Sequence, residues 1–208
     1  MLLCKAIVSY IKIKNNIFRY IILYNKKIKL LLTMLKVITV PNKILNTRTK
    51  SVSSIDKKIT DLVKEMEKTL IASKEPEGVG LSAPQVGILL SLFLIRKTSN
   101  ARPTAFINPK ILKRTGIRKQ KKGKNKIELE GCLSIPKIWG QINRHDKILL
   151  SYQTIKGIQK KEWFSGLVSS SIQHEDDHLH GILFTQRAIE QNNDLYEERN
   201  GKLIKVEY

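Results

Sequence analysis

Cysteine is nearly absent from this chain: among 208 residues only Cys4 and Cys132 carry thiols. Two cysteines cannot build a disulfide framework, so the composition fits a reducing compartment and makes a conspicuous thiol a candidate ligand or nucleophile. Long hydrophobic runs are missing too. Lysines interrupt the N-terminal Ile and Leu clusters, so no stretch approaches the roughly 18 to 20 apolar residues that span a bilayer. Nor is there a clean apolar core followed by a small-residue cleavage site, which removes the secretory-signal reading. What remains, at 41% hydrophobic residues, excludes wholesale disorder and fills one domain with a sizeable core plus an appendage.

Acid is the third scarcity. Asp and Glu number 18 against 38 Lys and Arg, a formal net charge of +20, and none lies between Met1 and Ile55. Residues 1–33 form a basic, apolar-interleaved leader with three readings: a targeting segment, an amphipathic arm for membrane or RNA, or sequence upstream of a true start at Met34. The strand-like pattern beginning at Met34 favours the last, and 34–208 is expected to be one catalytic domain. A second basic block, residues 110–126, holds nine Lys and Arg and no acid. It reads as a loop or hairpin tip, either simply solvated or touching phosphates of ribosomal RNA. No aromatic residue interrupts its lysines, so it is no base-stacking surface.

Periodicity gives the element order. A helix capped by Ser53 or Ser54 is expected to bury Ile55, Ile59, Leu62, Val63, Met66, Leu70 and Ile71, with Glu65 and Lys68 facing water. Glycines and Pro84 make 78–85 a loop, followed by a buried strand over Ile88 to Ile95. Residues 104–109, 127–135, 147–155 and 158–164 read as extended. From Gly166 the spacing turns helical, gathering Leu167, Ile172, His174, His178 and Leu179 on one side until Gly181 stops it. A short helix and a final strand over Leu203 to Val206 are expected in the tail. The class is α+β: compact antiparallel or mixed sheets around a central helix.

That central helix carries H-E-x-x-H, from His174 to His178. Residues four apart share a helix face, so both imidazoles can reach one cation while Glu175 sits beside its bound water. A third ligand is wanted. Phe184 stands where a downstream histidine would be needed, His180 lies too close on the same helix, and His145 is far upstream, so attention passes to Cys132 beside a glycine. One thiolate and two imidazoles with an open position suit ferrous iron, zinc, nickel or cobalt, with Glu175 as general base and then general acid.

Three segments, Gly78 to Gln85, Glu130 to Ser134 and Gln173 to His178, resemble in order and spacing the signature motifs of the peptide deformylases, over about residues 34–186. Members of that family remove the formyl group from the N-terminal formyl-methionine of newly synthesised proteins. The resemblance implies one ion per chain, typically Fe2+ with Zn2+, Ni2+ or Co2+ able to substitute, held by Cys132, His174 and His178. It further implies water attacking the formyl carbon with Glu175 as acid/base, and donors to the reacting oxygen from the Gln85 side chain and the Leu133 backbone. Val79, Gly80, Gly131, Trp139, Leu167, Ser170 and Ser171 are implied to bind substrate, with Gly78 and Gly80 allowing close approach of the first loop and Gln173 and Asp177 orienting active-site groups. Ser82 stands where alanine is commoner, and Ser169 to Ser171 where bulkier residues are usual.

The expected partners are formyl-methionyl nascent polypeptides, with ribosome contact through residues 110–126, and the chain is expected to be a cytoplasmic monomer of bacterial type, or organellar if residues 1–33 are a transit segment. Two other readings stand beside this one: another H-E-x-x-H hydrolase such as a peptidase, and a basic RNA-binding protein without catalysis.

Overall fold

The computed structural model describes residues 34–74, 77–98, 100–117 and 129–207. The leader and residues 118–126 of the basic block lie outside them. Helix α1 spans Lys57–Ala72. Strands β1 (Gly80–Ser82), β2 (Leu92–Ile95) and β3 (Thr104–Ile117) follow, then β4 (Glu130–Cys132), β5 (Ile135–Gly140), β6 (His145–Gln153) and β7 (Gln159–Ser165). Helix α2 covers Gly166–Leu179, α3 covers Phe184–Glu190, and β8 (Leu195–Arg199) and β9 (Lys202–Val206) close the chain. Two sheets form, a five-stranded one in the order β1-β2-β3-β6-β7 and a four-stranded one in the order β4-β5-β8-β9. Every strand pairing in both is antiparallel.

Strand β2 shows that the larger sheet is covered on both faces at its β1–β2 end. All four residues are buried, and side chains alternate between faces along a strand. Leu92 and Leu94 join the cluster made with Leu62, Met66 and Leu70 of α1. Phe93 and Ile95 join the cluster holding Phe106, Ile148, Leu150, Tyr152 and Phe164, against Ile172 and Leu179 of α2. Phe106 sits at the centre of its ring group, 4.6 Å from Tyr152 and 5.2 Å from Phe93 between centroids. A third cluster under the smaller sheet contains Ile135, Phe184, Ala188 and Leu195, with Cys132 at its margin.

Several boundaries move. Asp56, rather than Ser53 or Ser54, caps α1, because its carboxylate accepts from the Ile59 N–H at 3.0 Å. Ile55 therefore precedes the helix, and Ile71 is exposed. The expected strand over Ile88 to Ile95 starts only at Leu92, since Leu89 and Ser91 bond the Lys50 backbone instead of the sheet. Residues 110–117 are not part of a loop tip but continue β3, paired with β6 out to Ile117 opposite His145. Met34 to Pro41 forms no ladder: Leu35, Ile38 and Val40 donate singly to Thr69 Oγ1, the Gln85 carbonyl and the Ser134 carbonyl. Beyond the expected tail elements, β8 pairs with β5.

Helix α2 ends as the glycine signal requires. Gly181 has φ +73°, and a Cβ there would meet the Asn46 carbonyl at 2.7 Å, so both backbone and space demand glycine. The helix is unusual in burying its polar residues: Gln173 to His178 are all buried. A polar segment in the interior must find partners or leave groups unsatisfied at a cost of one to several kcal/mol each, roughly. How it does so defines the site.

Candidate metal centre

Cys132 ends β4, and His174 and His178 lie one turn apart on α2. One ligand atom from each lies within 4.8 Å of the others. Cys132 Sγ is 3.2 Å from His178 Nε2, and the Ser134 backbone N–H points at the same sulfur at 3.4 Å. His174 turns Nδ1 to Glu130 Oε2 at 3.0 Å, which leaves its Nε2 for the centre. A carboxylate behind a histidine fixes the ring and raises its basicity as a ligand. Glu130 is itself held by both arms of Arg144, at 2.9 Å each, and Arg144 reaches Asp177 at 2.5 Å. Burial pushes the Glu130 carboxyl up, but the Arg144 guanidinium overrides it and holds it at about 2.

The residues fit a divalent ion on two grounds internal to the site. Sulfur with two imidazole nitrogens is a donor set for zinc or late first-row divalent ions. In addition, Glu175 Oε2 beside the ligand atoms is buried without a hydrogen-bond partner. Burial pushes the Glu175 carboxyl up to about 7. Burial pushes His178 well down, favouring the neutral imidazole a metal needs.

The first loop supplies an oriented amide. Ser82 donates to Gln85 Oε1 twice, from its backbone N–H at 2.8 Å and its hydroxyl at 2.9 Å. With that oxygen occupied, Gln85 Nε2 faces Cys132 Sγ at 3.4 Å and Ser134 Oγ at 3.2 Å. A Cβ on Gly80 would lie 2.2 Å from Glu175 Oε1, so the missing side chain makes room for that carboxylate. Gly78 serves packing: a Cβ there would meet the Leu70 carbonyl at 2.5 Å. Gly131 accepts the Trp139 ring, which would be 2.8 Å from an added Cβ, and the indole N–H donates to Glu198 at 3.0 Å.

A cavity of about 410 Å³ opens on the centre. Val79, Gly80, Gln85, Gly131, Cys132, Leu133, Trp139, Leu167, Ser170, Ser171, His174 and Glu175 all line it, so residues separated by almost a hundred positions share one wall. Leu167, expected on the buried side of its helix, is exposed toward this opening. His145 lies elsewhere, along a second polar cavity with Arg114 and Asp176. Gln173 binds the His145 backbone and Ser169 rather than a centre residue, and Asp177 acts on the centre only through Arg144. Sequence reasoning gave no role to Glu130, and Arg144 carried no signal at all. A carboxylate two positions before the candidate thiol was the available hint.

A family model described as polypeptide deformylase matches residues 34–194. A peptide deformylase of Dictyoglomus turgidum is 40% identical over 75% of this chain and 93% of its own length. Among solved structures, a peptide deformylase from Synechococcus elongatus in complex with actinonin gives a TM-score of 0.64 at 32% identity, covering 80% of each chain. A Met-Ala-Ser-bound deformylase from Acinetobacter baumannii gives 0.63 at 30% identity, covering 74% of this chain and 98% of that one.

Proposed function

Because the chain belongs to the polypeptide deformylase family, metal-dependent hydrolases that remove the formyl group from nascent formyl-methionyl proteins, we propose that Cys132, His174 and His178 hold one Fe2+ ion. Zn2+, Ni2+ or Co2+ would substitute at the same donors. The observation that carries this reading is the gathering of three ligand atoms within 4.8 Å beside a buried carboxylate oxygen that has no partner. A bound divalent ion supplies Lewis acidity, which lowers the pKa of water and polarises a carbonyl.

The chain's own residues do the rest. Glu175, with its carboxyl near 7, accepts a proton from the attacking water and returns it to the leaving amine nitrogen. The Gln85 amide and the Leu133 backbone N–H donate to the formyl oxygen as charge develops on it, where one such donor is worth roughly 3 kcal/mol. Gly80 pairs its main chain with the peptide, Val79, Leu167, Ser170 and Ser171 receive the methionine side chain, and Gly131 with Trp139 forms a wall. Supporting this arrangement, all of these residues line one cavity.

The rest of the proposal concerns setting. The chain works as a monomer on polypeptides leaving a ribosome, which residues 110–126 touch through their positive charge. Among the described residues no helix is long and apolar enough to cross a membrane. The cytoplasm of a bacterial-type cell is the proposed location, or an organelle if residues 1–33 are a transit segment ahead of the 34–208 domain.

The test is anaerobic purification of the full chain with metal analysis and a formyl-Met-Ala-Ser assay. One ion per chain and release of formate are expected, with Cys132→Ala losing the ion as well as activity. Metal content unchanged in Cys132→Ala would mean the thiol is not a ligand.

A further inference from the structure

The face of the larger sheet turned away from α2 combines charge with an uncovered aromatic ring. Strand register places Lys110, Ser151 and Lys161 in one cross-strand row, Lys113, Leu149 and Trp163 in the next, and Thr115, Lys147 and Ser165 in a third. On β6 and β7 the strand period of two sends these rows to one face, and a bulge between Ile111 and Lys113 keeps Lys110 of β3 in step with Lys113, while the intervening Ile148, Leu150 and Phe164 point into the core. All four lysines are exposed, and Trp163 is 53% exposed. No carboxylate occurs in the three rows. Glu162 belongs to an intervening row and is engaged by the Tyr152 hydroxyl at 2.9 Å and Lys160 at 3.0 Å.

We propose that this face binds single-stranded RNA, with the lysines neutralising phosphates and the indole stacking on a base. Neighbouring strands lie about 4.8 Å apart, so Lys110 and Lys161 at the two ends of the first row stand roughly 10 Å from each other across the sheet, bracketing a strip wide enough for one nucleotide chain. Flat sheets with an exposed aromatic present bases with a stacking plane, and lysines around it follow the backbone. A formal charge of +20 draws a polyanion from a distance. A membrane would need several apolar side chains projecting past the lysines, whereas here Leu149 is half-buried and only Ile117, at the end of β3, is exposed beside Trp163 on these rows. Lys110 and Lys113 also begin the basic block assigned above to the ribosome, yet nothing in this proposal depends on the chemistry at the metal centre.

The experiment uses the full, metal-loaded chain and a fluorescein-labelled oligo(U) dodecamer, followed by anisotropy between 50 and 200 mM KCl. Replacing Lys110, Lys113, Lys147 and Lys161 by Gln is expected to weaken binding at least tenfold. It should also flatten the slope of log K against log salt by about 3, at roughly 0.7 per phosphate. Trp163→Ala should weaken binding by roughly tenfold and Trp163→Phe far less. Formyl-Met-Ala-Ser hydrolysis should match wild type in all of them, which separates this surface from the catalytic reading; if the quadruple variant fails to fold, Lys161→Gln alone should lower the slope by about 0.7. Wild-type affinity and slope in the folded variants would overturn the proposal and place any RNA affinity in other basic segments. Loss of binding to phosphatidylserine vesicles, with oligo(U) binding unaltered, would overturn it in favour of a membrane.

Discussion

The two sides of helix α2 bury polar groups in opposite ways. On one, Gln173 uses its carbonyl for the His145 N–H and its amide for the His145 and Ser169 carbonyls, and Asp177 receives Arg144 and Arg187. On the other, Glu175 and His178 each leave an atom without a partner. Desolvation without compensation costs one to several kcal/mol, roughly, so the second side is kept at a cost while the first repays its burial. Completed hydrogen bonds mark where the chain holds position, and the unpartnered Glu175 oxygen lies on the side that faces the cavity.

The comparison breaks most severely at Glu175. Glu175→Gln should cut turnover on formyl-Met-Ala-Ser about a thousandfold or more while the ion stays bound. The urea midpoint of the metal-free protein above pH 7 should stay equal or rise, because a buried carboxyl whose folded pKa is about 7 gives up stability as pH climbs through that value. Retention of a tenth of the activity would assign the proton transfer to another group.

Next comes the completed side. Arg144→Met leaves Glu130 and Asp177 without their shared guanidinium, and breaking a buried pair from one end costs about 3 to 5 kcal/mol. Urea unfolding of the metal-free protein should show it. In wild type, Glu130 falls from an ordinary 4.5 to about 2, so its stabilisation is complete above about pH 4.5 and fades as pH drops toward 2. In the variant the sign reverses: protonation relieves an unpaired carboxylate, so the deficit should be smaller at pH 4 than at pH 7. Equal deficits at both would mean Arg144 contributes packing alone.

The smallest effect sharpens the comparison at its boundary. Ser82→Ala removes one of two donors on Gln85 Oε1, worth about 1 kcal/mol, and should appear as a few-fold fall in kcat with KM little changed. Stopped-time assays on the variant decide it. Unaltered kcat would show that the backbone N–H of Ser82 suffices to set the amide.

Much of this was legible from spacing, and the remainder was hidden for physical reasons. Two imidazoles at helical separation announce themselves, because four residues bring side chains back to one face. The partner of His174 does not, since the Arg144 to Glu130 contact joins the loop before β6 to a strand of the other sheet and follows no local period. Asp56 outcompeted two serines as a cap through its carboxylate's contact with the Ile59 N–H, and all three residues are of types suited to that place by sequence alone. Strand β3 ran on through a lysine-rich stretch because β6 offered it a continuous ladder, and charge composition says little about pairing. Strand β8 was invisible for the same reason, its burial supplied by β5 and α3 rather than by its own pattern.

The notch at Gly80 has a bearing on inhibition. Any side chain there would collide with Glu175, so this position is closed to replacement in a working enzyme. A compound anchored along the Gly80 main chain would therefore meet a surface that no substitution at this position can reshape without displacing Glu175.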